Sequence, residues 1–341
     1  MRPLLLPPNG VPRFYRGGAA IAELRGIEPV GERVPEDWVG SMTTVFGEKE
    51  LGLSRLADGR LLRDAARENP VAFFGPGHAA RRGADPALLV KLLDAGERLP
   101  VHVHPNGSFA RAALGSPYGK TEAWLVIDAP GRGATVGVGF REDVPAETLA
   151  RWVQGQDRQA LLDSLNPIEV GPGDAIFVPA GVPHAIGEGV LIVELQEPSD
   201  LSILLEWRGF ANGAGDGEAT LGLGWEVALR CVELSHRDPD RLSASRGDGS
   251  GAVTSLLPAE ADNFFRAERI EAAPAADLEQ GFAILVVTEG SGALHPASGE
   301  PLEIGRGDTV LVPWDAGACR LEGELVGLAC RPPAPELGGA P

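Results

Sequence analysis

A His-x-His pair restricts this chain more than any other feature. His102 and His104 stand two apart in VHVHPN, and on a strand that spacing points both imidazoles to one face, because side chains alternate. Glu122 follows in GKTEAW, and His184 in VPAGVPHAI after a Gly-rich turn. The 341 residues hold only six histidines, and half of them fall in these segments. Nitrogen and oxygen donors of this kind suit a borderline divalent metal such as Zn, Fe, Mn, Ni or Co. The pattern therefore calls for a metal site held by His102, His104, Glu122 and His184 inside a β-barrel.

The rest of the chain fits a mostly β protein. TTVFG, ALLVKLLDA, PVHVH, EAWLVIDA, ATVGVGF, DAIFVPAG, GVLIVELQE and LSILLEW are short β-type runs punctuated by Gly, Pro and Asp, the mark of an antiparallel sandwich or barrel. A helical insert is expected over residues 142–166, where Leu149, Trp152, Val153, Leu161, Leu162 and Leu165 recur near helical spacing after Pro145. A second helical stretch is expected at roughly 221–235, and residues 239–262, rich in Ser, Arg, Gly, Asp and Pro, read as an exposed loop. Beyond it, GRGDTVLVPWDAGACRL repeats the rhythm of GPGDAIFVPAGVPHAI: Gly307 matches Gly173, Asp308 matches Asp174 and Pro313 matches Pro179. His184 has no counterpart there, and His295 stands isolated as a surface histidine. The expected organisation is a metal-binding N-terminal domain over 1–235, a linker over 236–262, a degenerate second barrel over 263–333 and a disordered tail over 334–341.

Charge and composition narrow the partners. The net charge of −18 with no offsetting basic stretch excludes nucleic acid, though an anionic substrate remains compatible, since nearby groups in a cleft outweigh a distant field. Cations are written almost wholly as arginine, with only three lysines, Lys49, Lys91 and Lys120; Lys91 in LLVKLLDA and Lys120 in GKTEAW stand out for that reason. Cys231, Cys319 and Cys330 form no CxxC spacing and no disulfide framework, which fits a reducing compartment. The leucine run at the N-terminus is broken by prolines and too short for a signal or a membrane span. A cytoplasmic location without membrane contact is expected. No heptad or long apolar face marks an interface, so the oligomeric state stays open.

The stretch from Gly173 through His184 resembles the second cupin motif, and His102, His104 and Glu122 resemble the first with a long spacer. LLVKLLDAGERLPVHVHPN, GKTEAWLVIDA, GDAIFVPAGVPHAI and VELQEPSD follow one another in the order of type I phosphomannose isomerases, over roughly residues 11–235. PEDWVGS is similar to a further segment of that family. The resemblance implies two jelly-roll-like barrels (a bicupin) with a small helical insert and one zinc, taking a small-molecule sugar or sugar phosphate as substrate. It also implies interconversion of mannose 6-phosphate and fructose 6-phosphate through an enediol. His102, His104, Glu122 and His184 would hold the metal. Lys120, Glu194 and Asp200 fall at matching positions, Lys120 or Asp200 carrying the proton and Glu194 orienting a ligand histidine.

Three departures qualify the match. His102 stands where the family usually has glutamine, Pro100 where it has a phosphate-handling serine, and Leu204 where it has an arginine. Arg208, four residues on, is the candidate to replace that arginine if the strand continues. These departures keep open a free-sugar isomerase and a non-catalytic sugar-binding cupin, and the three-histidine set keeps open a bicupin oxygenase or decarboxylase.

Overall fold

The computed structural model describes residues 1–131, 133–210, 216–242 and 251–334. The strands fall into three antiparallel sheets. A six-stranded sheet runs in the order Gly10–Val11, Glu36–Val39, Leu89–Asp94, Leu191–Gln196, Glu122–Asp128, Ala175–Val178. A five-stranded sheet runs Ile203–Leu204, His102–Val103, His184–Ile186, Thr135–Phe140, Leu165–Glu169. The third, of eight strands, contains the long strands Ala283–His295 and Cys319–Arg331.

Alternation explains how the layers stack. On the six-stranded sheet Leu93, Trp124, Val126, Ile176 and Ile192 face one way and share a core with Val136, Val138 and Ile186 of the five-stranded sheet. The opposite face turns Val90, Leu125, Phe177, Val193 and Leu195 onto Ile284, Val286, Leu311 and Leu328 of the eight-stranded sheet. A sheet covered on both faces reads as near-continuous apolar sequence, which is why LLVKLLD and VLIVELQ look alike. Within those runs Lys91, Glu122 and Glu194 are polar and buried. All three share the parity of Leu93, Trp124 and Ile192, so they face the five-stranded sheet.

The two matching turns have the same backbone hydrogen bonding. Asp174 Oδ2 accepts from Gly171 N and Asp308 Oδ2 from Gly305 N, each at 2.8 Å. Gly173 N donates to Val126 O and Gly307 N to Val287 O, at 2.9 and 2.8 Å. Each turn leads into a four-residue strand, Ala175–Val178 and Thr309–Val312.

Several elements differ from expectation. TTVFG is no strand, because its donors are taken outside any ladder: Thr43 N by Ser41 Oγ and Val45 N by Leu51 O nearby, and Phe46 N by the distant Asp200 Oδ2. The helical insert is two helices, Ala146–Gly155 and Arg158–Asp163, separated by Gln156 at φ 53°. Leu165 opens a strand instead of closing a helix. The 221–235 stretch shortens to Trp225–Ala228 and a 3-10 turn over Leu229–Cys231. In the loop-like segment, Val253–Ser255 pairs with Arg266–Ala272 in the third sheet. At the other end of the chain, Leu4–Leu5 pairs with Thr309–Val312, so N-terminal residues belong to the C-terminal sheet. Residues 243–250 of that segment and 335–341 of the tail lie outside the described residues. Among the described residues no helix is long and apolar enough to cross a membrane.

Gly173 and Gly307 both have left-handed backbone, at φ +96° and +90°, which costs an L side chain about 1–2 kcal/mol. A Cβ at 173 would meet open space, whereas one at 307 would lie 2.0 Å from Leu24 O. Gly173→Ala is therefore expected to destabilise by about 1–2 kcal/mol and Gly307→Ala by clearly more, as read by urea unfolding of the two variants side by side.

Candidate active site and metal centre

The five-stranded sheet brings the histidines together. His184 pairs directly with His102, and His102 in turn pairs with Leu204. The rings of His102 and His184 lie 4.0 Å apart between centroids, and His104 lies 5.1 and 4.8 Å from them. Nitrogens of all three fall within 4.8 Å of one another, a group that could hold a metal ion.

Their protonation follows from their partners. Nδ1 of His102, His104 and His184 lies 2.8 Å from the carbonyl oxygens of Pro100, Leu201 and Val182 respectively. A carbonyl only accepts, so each Nδ1 carries the proton and each Nε2 offers a lone pair. Backbone carbonyls, and not Glu194, therefore orient the rings. Burial pushes the pKa of His184 down to about 3, and burial together with the Lys120 charge does the same to His104. His102 is held well below the usual range by burial and then by His184. All three rings are neutral at physiological pH.

Glu122 closes the group from the six-stranded sheet. Its Oε2 lies 3.0 Å from His104 Nε2 and its Oε1 3.3 Å from His184 Nε2. Burial raises this carboxyl, but the Lys120 ammonium, 2.9 Å from Oε2, together with His104 and His184 outweighs it and holds the group well below the carboxylate range. An ionised carboxylate thus faces two unprotonated nitrogens with no proton between them. Among the described residues His184 Nε2 makes no hydrogen bond, and the Lys120 ammonium at 2.9 Å is the one donor group facing Glu122 Oε2. A cation resolves both facts, so the residues present fit a divalent metal.

Charges of alternating sign run outward from this group. Lys120 Nζ lies 3.7 Å from Glu194, Lys91 Nζ lies 3.3 Å from both Glu194 and Glu36, and Arg13 Nε lies 3.3 Å from Glu36. The Arg13 guanidinium then donates twice to Asp200, at 3.0 and 3.1 Å. Tyr15 Oη and Trp38 Nε1 donate to the two oxygens of Glu36, at 2.5 and 2.6 Å. Burial pushes Glu36 and Asp200 upward, but the Arg13 charge leads the opposing effects: Glu36 falls to about 2, and Asp200 lies well below the carboxylate range. Lys120 is desolvated by burial, yet Glu122 and Glu194 raise it above its ordinary value. It is a fixed positive charge.

These groups enclose an inner cavity of about 30 Å³ lined by Arg13, Glu36, Lys91, His102, Lys120, Glu122, Glu194 and Asp200. Pro100, Ser202 and Leu204 complete its wall. An open cleft of about 670 Å³ shares Arg13, Phe14, Asp200, Ser202 and Leu204 with it. Of the two, the cleft has the size of an ordinary ligand site, and the inner cavity has room for about one water-sized group.

Of the residues singled out from sequence, His102, His104, Glu122, His184, Lys120, Glu194 and Asp200 come together here. Arg208 does not: it is exposed, stacked 5.1 Å over Trp207, with its backbone N–H on Gln156 Oε1. The strand ends at Leu204, so the alternation that would carry Arg208 inward stops before reaching it. Ser108 and Arg111 line a different cavity with Asn106 and Tyr118. His295 is part-exposed, 3.6 Å from Glu322. Sequence reading missed Arg13 and Glu36. Glu36 had a signal, since it alternates with Trp38 opposite the retained Lys91; Arg13 had none.

No family model matches the chain. Among curated relatives, mannose-6-phosphate isomerase ManA of Bacillus subtilis (strain 168) is 30% identical over 240 residues, covering 69% of this chain and 72% of the relative. The chain belongs to the mannose-6-phosphate isomerase family. It is also 26% identical over 321 residues to the probable mannose-6-phosphate isomerase GmuF of the same organism, covering 94% of this chain and 96% of the relative. The crystal structure of the Bacillus subtilis mannose 6-phosphate isomerase superposes with a TM-score of 0.80 at 24% identity, over 97% of this chain and 100% of that one. That likeness fixes the fold.

The site leads to a binding prediction. Zinc at a hundred times its Kd is expected to raise stability by about 2.7 kcal/mol. His184→Ala and Glu122→Gln are each expected to weaken binding at least tenfold, measured by metal titration followed by chemical denaturation.

Proposed function

We propose that the chain is a metal-dependent aldose–ketose isomerase that interconverts mannose 6-phosphate and fructose 6-phosphate through an enediol. The observation that carries this reading is the convergence of three unprotonated Nε2 atoms and the Glu122 carboxylate beside a buried lysine, in a chain of this family. His102, His104, Glu122 and His184 would hold the metal, and the nitrogen and oxygen donor set suits zinc. When bound, the metal supplies Lewis-acid polarisation of a sugar oxygen.

The remaining chemistry belongs to the protein. The phosphorylated end of the sugar stays in the open cleft, while the carbonyl end reaches the inner cavity. Asp200 is ionised and lines both spaces, so it removes the C2 proton and returns it at C1. Lys120, held protonated by Glu122 and Glu194, stabilises negative charge developing on the substrate oxygens. Glu194 holds Lys120 and Lys91 in place from the neighbouring strand.

The fold reading completes this proposal. Residues 1–235 form a metal-binding cupin barrel with the helical insert, and 263–333 a second barrel without ligands, in support of which the two Gly-Asp turns share their hydrogen bonding. A cytoplasmic setting suits three buried cysteines with free thiols. A second reading, isomerisation of an unphosphorylated sugar, draws on Pro100 and Leu204, which line the cavity and offer a phosphate no side-chain donor.

Zinc-loaded protein is expected to convert fructose 6-phosphate to mannose 6-phosphate in a coupled assay, and Asp200→Asn to lower kcat by about 10²–10⁴-fold. Turnover of free mannose in preference to its phosphate would favour the second reading. Fully metallated protein inactive on every phosphorylated hexose contradicts the first.

A further inference from the structure

Three cationic side chains line the inner cavity: Arg13, Lys91 and Lys120. Only Arg13 also lines the open cleft. The side chains of Lys91 and Lys120 are 2% and 6% exposed and sealed behind carboxylates on both sides. Arg13 therefore stands at the junction of the two spaces. Its grip on Asp200 is bidentate, with Nη1 on Oδ2 and Nη2 on Oδ1, the geometry that fixes the plane of a carboxylate as well as its position. One further contact, from Phe46 N at 3.1 Å, holds the same carboxylate.

Position 204 shares this placement. Leu204 lines both the inner cavity and the cleft, beside Asp200 and Arg13, and pairs with the metal-cluster strand at His102. It brings no charge to a junction that holds Asp200 and Glu36. Among the described residues, the only guanidinium reaching that junction comes from the N-terminal segment instead of the strand Ile203–Leu204.

We propose that Arg13 is a positioning residue of this site: it fixes the Asp200 carboxylate for proton transfer at the junction, doing from the N-terminal segment what an arginine at position 204 would do from the strand. The inference rests on the isomerase reading and on Asp200 as its base. A base freed from Arg13 would gain basicity but lose its orientation, so the two effects oppose each other in the rate. Misplacement of a reacting group by about 1 Å costs on the order of a hundredfold, and orientation is the larger effect.

The test compares four zinc-loaded proteins in the coupled fructose 6-phosphate assay: the unaltered chain, Arg13→Gln, Arg13→Lys, and Arg13→Gln combined with Leu204→Arg. Circular dichroism and metal content are measured on each. Arg13→Gln is expected to keep its zinc and to lose about a hundredfold in kcat, with KM changed less than kcat. Arg13→Lys keeps the charge without the bidentate grip and is expected to lose about tenfold in kcat, so it remains informative if the glutamine variant does not fold. The double variant is expected to recover at least tenfold over Arg13→Gln, a rescue that no purely structural role for Arg13 predicts. An unchanged or increased kcat in folded, metallated Arg13→Gln or Arg13→Lys overturns the inference, as does a double variant no better than the single. An inactive unaltered chain would instead overturn the isomerase reading itself, which separates the two failures.

Discussion

The structure depends on charges buried in alternation on one face of the six-stranded sheet. Arg13, Lys91 and Lys120 are set among Glu36, Glu122, Glu194 and Asp200, all of these carboxylates almost wholly withdrawn from solvent. Removing each such charge from water costs several kcal/mol, and ion pairing rarely returns more than that. The arrangement is therefore poor evidence for stability and good evidence for a site. Three cations face four carboxylates, leaving a negative excess in a dry interior. Glu194 registers it: burial raises its carboxyl, with Glu122 and Glu36 adding to the effect against two lysines. A divalent cation beside the neutral histidines would reverse that excess, which ties the metal to the sheet and not only to its ligands.

The two sheets divide the labour. The five-stranded sheet carries the histidines, with each ring held through Nδ1 by a backbone carbonyl. Such support cannot be mutated away through a neighbouring side chain, and it leaves Nε2 unprotonated in every case, that of His104 accepting from Lys120 Nζ at 3.0 Å. The six-stranded sheet carries Glu36, Lys91, Glu122 and Glu194, with Glu194 directly opposite Lys91 in register and Glu122 opposite Gln196. Its other face is apolar and covered by the third sheet. The charged groups are thus pinned by strands whose own positions are fixed by packing on both sides.

Much of this was legible in the sequence where side-chain periodicity carried the information. His102 and His104 two apart, Glu122 and His184 in their Gly-rich settings, and the lysines kept amid arginines all lead to the same cavity. Legibility failed where the backbone leaves regular structure. Arg208 was projected along a strand that stops at Leu204, TTVFG gave its donors to groups outside any strand ladder, and the insert broke at Gln156. Arg13 lies in a short connecting segment whose place in the cleft is set by pairing far along the chain with Asp200. Nothing local marks such a residue among 27 arginines.

The most direct measurement of the central claim is X-ray absorption at the zinc edge of the stoichiometrically loaded protein. Three histidines and Glu122 as ligands predict a first shell of nitrogen and oxygen at about 2.0–2.2 Å, with multiple-scattering features of three imidazoles and no sulfur. A sulfur contribution near 2.3 Å, or fewer than three imidazoles, would contradict it.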